Sequence, residues 1–229
     1  MQNTLTGISS KATAAFLAEM AQAYQSAHGT AVAIESVGGV DAARRVAEGE
    51  PFDIVVLEHG QIVKLTAAGK IAAGSAQPLV HSLVTVAVRA GAPHPSIATL
   101  EAFQAALLAA ARIGYSTGPS GVALLGMIQS WGLTEKLQGR LIQAPPGRPV
   151  GALIAEGEVD IGIQQYSELM SLPGIDILGP LPPGAEIIST FTAGVGAAAA
   201  QPEEARRYVE FLAAPARAEA KRRQGFEPV

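Results

Sequence analysis

The chain writes one turn twice. Residues 47–57 read AEGEPFDIVVL and residues 155–168 read AEGEVDIGIQQYSE. Each copy ends a helix at a Gly, passes an acidic residue, and enters an apolar strand through an Asp. A helix that feeds a strand through one short turn, at two separate places, constrains the fold more than any single motif. It predicts two similar β-α-β units in an α/β protein with mixed, mostly parallel sheets flanked by helices.

The rest of the chain keeps this alternation. TLTGI, TAVAIESVGG and FDIVVLEH read as strands in the first part, and HSLVTVAVRAGA, RIGYST, VDIGIQQY and IISTFTAGVGAAA later. Helices follow at SSKATAAFLAEMAQAYQSAHG, VDAARRVAEGE, GQIVKLTAAGKI, TLEAFQAALLAAA, VALLGMIQSWGL and RPVGALIAEGE. Phe16, Leu17, Met20 and Tyr24 recur at helical spacing, Gly29 is a stop, and Ser9 or Ser10 is the expected N-cap. Thr99 caps the fourth helix. The turns of LPPGAE precede the last long strand. A terminal helical segment breaks near Pro215. Two long strands, near 81–89 and 186–195, are placed as crossovers between two lobes. The expected division is 1–80 with 190–229 for the first lobe and 81–189 for the second.

Composition narrows the chemistry. Charged residues make up 16% and the net charge is −4, so no basic face for nucleic acid is expected. With no cysteine, disulfides, thiolate metal sites and Cys nucleophiles are excluded. No uncharged apolar run reaches the length of a membrane span. MQNTLTGISS has neither a basic start nor an apolar core, so no signal peptide is read.

In open α/β sheets, ligands sit beyond the carboxyl ends of the strands. Three helix starts there are suited to an anion, because a helix N-terminus carries partial positive charge and unpaired N–H donors. They are GISSKAT, ESVGGVDAARR and YSTGPSGVALL. The expected ligand-binding set is Ser9, Ser10, Lys11, Gly38, Gly39, Ser116, Ser120, Gly121, Gln164 and Tyr166. Thr117, Gln165 and Ser167 lie beside it. The four histidines, His28, His59, His81 and His94, show no metal-ligand spacing, and no metal or cofactor is expected. Ser120 sits in GPSGV, which fails the Gly-x-Ser-x-Gly pattern of a nucleophile elbow. GPSG lacks the Gly-Lys-Ser/Thr of a phosphate loop, and Gly38-Gly39 lacks the dinucleotide spacing.

GISSKATAAFLAEMAQAYQ, VAEGEPFDIVVL, GYSTGPSGVALLGMIQSWGL and IAEGEVDIGIQQYSEL resemble, in order, units of the periplasmic molybdate-binding proteins and their wider branch. The resemblance covers nearly the whole chain. It implies a two-lobed type II periplasmic-binding-protein fold, capture of a small anion in an interlobe cleft, and service to a membrane ABC permease as a monomer. It also implies a periplasmic location with the leader absent from this chain, or a cytoplasmic one if no leader exists. The family's first-helix hydroxyl matches Ser9 or Ser10, and its hinge-side Tyr matches Tyr166. Its second hydroxyl falls near Gly38, where Gly-Gly stands instead; that departure argues against molybdate and leaves space for a larger ligand. The branch resembles aconitate isomerases too. They imply the alternative of a 1,3-proton shift on a tricarboxylate, with His59, His81, Glu58 and Tyr115 as candidate bases and Arg44, Arg45 and Arg89 as carboxylate holders.

Overall fold

The computed structural model describes residues 4–229, and the chain divides into two compact units. Unit 1 runs to His81 and resumes at Thr190–Val229; unit 2 is Ser82–Ser189.

Unit 1 opens with β1 (Leu5–Ser10), α1 (Ala14–His28), β2 (Val32–Val37), α2 (Gly39–Glu48), β3 (Ile54–Glu58) and α3 (His59–Ala67). The strands β2, β1 and β3 are parallel neighbours, and β9 (Ile188–Val195) lies antiparallel to β3. The unit closes with α8 (Pro202–Ala213), α9 (Ala218–Arg223) and the short β10 (Glu227–Pro228), which pairs with the start of β4 (Gln77–Arg89). Ile54, Val55, Val56 and Leu57 of β3 are all fully buried. Helices cover both faces of this sheet, so the strand reads as a continuous apolar run rather than an alternating one. On one face Phe16, Leu17, Met20 and Tyr24 of α1 pack with Tyr208 and Leu212 of α8 and with Phe226. On the other, Ile8, Val55 and Leu57 meet Ala42 and Val46 of α2 and Ile62 of α3. Each fully buried side chain of this size contributes roughly 1.5–3 kcal/mol.

Unit 2 takes the rest of β4, then α4 (Leu100–Ala109), β5 (Ile113–Tyr115), α5 (Pro119–Ser130), β6 (Leu141–Gln143), α6 (Val150–Ala155), β7 (Ile161–Gln165), α7 (Tyr166–Leu169) and β8 (Ile175–Pro180). Strands β6, β5 and β7 are parallel neighbours; β4 is antiparallel to both β7 and β8. Phe103, Leu107, Leu124 and Ile128 cover one face, and Val150, Leu153, Ile154 and Val159 the other. Thr99 caps α4 as the sequence predicts, its hydroxyl accepting from the Ala102 N–H at 3.2 Å.

The repeated turn is one piece of engineering used in both units. Gly49 and Gly157 end α2 and the α6 region in the left-handed conformation, at φ 95° and 75°. In unit 1 the Asp53 carboxylate accepts from the Thr6 N–H at 2.9 Å, while the Asp53 N–H donates to the Thr6 carbonyl at 2.9 Å. In unit 2 the Asp160 carboxylate accepts from the Arg112 N–H at 2.8 Å, and the Asp160 N–H donates to the Arg112 carbonyl at 2.9 Å. Each Asp clasps the first residues of the neighbouring parallel strand and so sets its register.

One expectation is corrected. Ser9 and Ser10 do not cap a helix: both lie in β1, a 3-10 turn over Lys11–Thr13 follows, and no side-chain cap bond forms at Ser10 or Thr13. The Ser9 hydroxyl is drawn instead to a partner across the sheet, Ser36 on β2, at 2.8 Å. Between VDIGIQQY and the turns of LPPGAE, where no element is read from the sequence, the chain forms β8. Its six residues are mostly half-buried, so neither alternation nor a solid apolar run marks it.

Candidate functional site

The carboxyl edge of the parallel strands in unit 1 collects polar groups from four strands. Register puts Ser9 opposite Ser36 and Val56, and Glu58 opposite Phe191, so the ends of β1, β2 and β3 meet the start of β9 at one edge. Ser9 is fully buried and Ser10 half-buried. Gly39 opens α2 beside Ser10: a Cβ at Gly39 would lie 3.5 Å from the Ser10 hydroxyl oxygen. A Cβ at Gly38 would meet nothing within 4 Å, so the space in front of the α2 N-terminus is open. Lys11 starts the 3-10 turn next to this edge and is exposed.

Glu58 and His59 follow β3, and the structure separates their roles. The Glu58 carboxylate accepts from the Gly60 N–H at 2.9 Å and so caps α3. His59 is exposed, and its Nδ1 lies 3.1 Å from the hydroxyl of Thr192, a fully buried residue of β9. His81, half-buried on β4, makes the same kind of contact two residues back along β9, with Nδ1 3.0 Å from the Thr190 hydroxyl. Among the described residues, neither histidine has a hydrogen-bond partner at Nε2.

Unit 2 is built differently at its strand ends. Tyr115 ends β5 and Ser116 and Thr117 follow it, all half-buried; the Ser116 and Ser120 hydroxyls lie 3.0 Å apart, and Ser120 is buried. Gly121 has a packing reason to be glycine, because a Cβ there would sit 1.9 Å from the Ser116 carbonyl oxygen. Gln164 is buried with both ends of its amide engaged. Its oxygen accepts from the Val150 N–H at 2.8 Å and its nitrogen donates to Glu168 at 2.8 Å. Gln165 likewise accepts from the Ser82 hydroxyl at 3.0 Å and donates to the Ser189 hydroxyl at 2.9 Å. Tyr166 begins α7 half-buried, and the hydroxyl of Ser167 behind it is buried without a partner.

The arginines do not join these sets. Arg44 pairs with Asp41 and Glu48, and Arg45 grips Glu35 and Glu50. Hydrogen bonds that Arg45 donates to Glu50 and Glu35 push its pKa further up, so its charge is spoken for within the chain. Arg89 ends β4 and lines, with His94 and Asp160, a groove of about 660 Å³ at the amino end of β7, opposite the end that carries Gln165. His28 lies against the Tyr24 ring at 4.4 Å between centroids, and His94 pairs with Asp176 at 3.1 Å. Among the described residues no cluster of three His, Asp or Glu side chains could hold a metal ion, and no helix is long and apolar enough to cross a membrane.

Sequence reasoning overlooked Ser36, Thr190 and Thr192. Ser36 sits within the quoted ESVGG, and the two threonines alternate in IISTFTAG, which places them on one face of a strand. That alternation was the available signal.

The model of the bacterial extracellular solute-binding proteins matches residues 5–227. The chain belongs to this family. The solute-binding protein is also 35% identical over 231 residues to an aconitate isomerase of a Pseudomonas species, covering 99% of this chain and 88% of that one. Among solved structures it is similar to the periplasmic molybdate-binding protein of Azotobacter vinelandii, with TM-score 0.80, 19% identity, and 97% and 98% of the two chains covered. It is similar to the sulfate-binding protein of Mycobacterium tuberculosis as well, with TM-score 0.80, 19% identity, and 99% and 87% covered. These structural likenesses establish the type II periplasmic-binding-protein fold that the sequence resemblance implied.

Proposed function

We propose that this solute-binding protein captures a small organic polycarboxylate and delivers it, as a periplasmic monomer, to a membrane ABC importer. The observation that carries the choice of ligand is the open edge at Gly38-Gly39. Neutral donors lie along this edge: the Ser10 hydroxyl beside Gly39 and the α2 N-terminal N–H groups, with the two imidazoles further along it, anchored on β9. A compact tetrahedral oxyanion needs a closed ring of short donors. A carboxylate with a carbon body needs the space that the glycine pair leaves. Arginine clamps are not required, because N–H and O–H donors at a helix start hold anions by themselves.

Thermal unfolding tests it. Citrate, cis- and trans-aconitate, molybdate, tungstate and sulfate are each added in excess. Ligand at a hundred times its dissociation constant stabilises by about 2.7 kcal/mol, so a carboxylate ligand raises the melting temperature by several degrees. No shift with any of these anions overturns the proposal; a shift with molybdate alone overturns the ligand class.

A second reading, isomerisation of an unsaturated tricarboxylate, is favoured by the relative of 35% identity and by two imidazoles at the same edge. Formation of cis-aconitate from trans-aconitate is its direct test.

A further inference from the structure

His59 and His81 come from different elements, yet both reach β9 and both are held the same way. His59 Nδ1 meets the Thr192 hydroxyl at 3.1 Å and His81 Nδ1 meets the Thr190 hydroxyl at 3.0 Å. Residues two apart in a strand share a face and are separated by about 7 Å, so the two anchors stand side by side. Phe191 between them points to the opposite face, into the cluster with Phe16 and Phe226. Thr192 is fully buried, and the His59 imidazole is the hydrogen-bond partner of its hydroxyl among the described residues. A ring held at Nδ1 has a fixed orientation and presents Nε2 outward.

We propose that His59 and His81 are a proton-transfer pair acting on an unsaturated polycarboxylate, with Thr192 and Thr190 as the positioning residues that orient them. The inference rests on the polycarboxylate reading of this edge and adds turnover to it. One imidazole takes the proton from the saturated carbon next to the double bond. The C–H electron pair becomes the new C=C bond. The old π pair forms a C–H bond at the far carbon with a proton from the second imidazole. One C–H bond breaks and one forms, and nothing is oxidised or reduced. The roles require opposite ring protonation, one Nε2 bare and the other bearing hydrogen. Such acid–base catalysis is worth about 10²–10⁴-fold per group.

The experiment uses the full chain with trans-aconitate in D2O, followed by proton NMR, with titration calorimetry on the same samples. Wild type is expected to bind the ligand, form the cis isomer and incorporate deuterium at the allylic carbon. H59N and H81N are each expected to lower kcat at least 100-fold. T192V and T190V are expected to lower kcat about 10-fold or more with KM within twofold, and T192S to restore most of it. H94N, far from this edge in sequence and paired with Asp176, is expected to match wild type. Binding without isomerisation or exchange overturns this inference and leaves the binding reading standing. Absence of binding overturns both. Turnover that survives H59N and H81N overturns the assignment of the pair.

Discussion

The two copies of the turn are alike in what they build and unlike in what they lead to. Asp53 and Asp160 make the same two-bond clasp on the neighbouring strand, at nearly the same distances. One strand further on, the copies diverge. In unit 1 the strand end delivers His59, whose Nε2 has no partner among the described residues. In unit 2 it delivers Gln164 and Gln165, whose amides are used up inside the unit. Repetition therefore marks scaffold, and the polar groups differ where the repeat stops. Polar residues at corresponding strand ends do different jobs: in unit 1 an exposed imidazole is left with an unpartnered Nε2, and in unit 2 two amides satisfy buried backbone and hydroxyl groups.

That contrast can be broken, starting with the largest effect. If the unit 2 glycine is scaffold, G121A must collide with the Ser116 carbonyl, which a Cβ would approach to 1.9 Å. A loss of about 3 kcal/mol in chemical denaturation is expected, and a stable G121A that merely loses ligand would make it a binding residue. The two clasps come next. Asp53 is buried and also accepts from the Gln201 N–H at 3.0 Å. D53A therefore is expected to cost about 2–3 kcal/mol, against about 1 kcal/mol for the exposed Asp160 in D160A. Equal losses would remove the distinction. Q165A strands the Ser82 and Ser189 hydroxyls, both buried, and is expected to cost about 2 kcal/mol. H59A strands one buried hydroxyl, that of Thr192, and is expected to cost about 1 kcal/mol; melting curves for the two variants check both numbers.

A comparably small effect is a pH dependence confined to unit 1. The Tyr24 hydroxyl, donating to Glu204 at 2.8 Å, is the main cause that holds the Glu204 pKa below the usual carboxylate range; the Thr30 hydroxyl assists at 3.0 Å. A depressed carboxylate stabilises the fold at pH values above its unfolded pKa. That stability is lost as pH falls through the ordinary glutamate range to the lower folded value. Y24F is expected to cost about 1 kcal/mol at neutral pH and to flatten the acid limb of the stability curve. An unchanged limb would show that the Tyr24 bond does not hold this carboxylate.

Much of the scaffold is legible because its signals are local. Gly29, Gly49 and Gly157 stop helices, Thr99 caps one, and the solid apolar run of β3 announces a strand covered on both faces. The family-like order of units follows from these. What is not legible depends on partners far along the chain. Nothing near Ser9 reveals that Ser36 will take its hydroxyl and leave the helix start uncapped. Gln164 looks like a ligand residue because a core rarely keeps an amide, until the Val150 N–H at the start of α6 supplies the reason. Thr190 and Thr192 look like ordinary strand formers, and only the fold brings His81 and His59 to them. β8 escaped because its six residues, five of them half-buried, carry no period.

The account stands or falls on the edge of unit 1 as a polycarboxylate site, and Gly38 offers the cleanest test. Its backbone, at φ −58° and ψ 134°, suits any residue, and a Cβ there meets nothing within 4 Å. G38V should therefore fold as well as wild type while filling the space before the α2 N-terminus. Calorimetric titration of trans-aconitate into both proteins is expected to show saturable one-to-one binding to wild type. Binding to G38V should be at least 10-fold weaker at an unchanged melting temperature. Equal affinity for the two proteins, or no heat with either, would contradict the account.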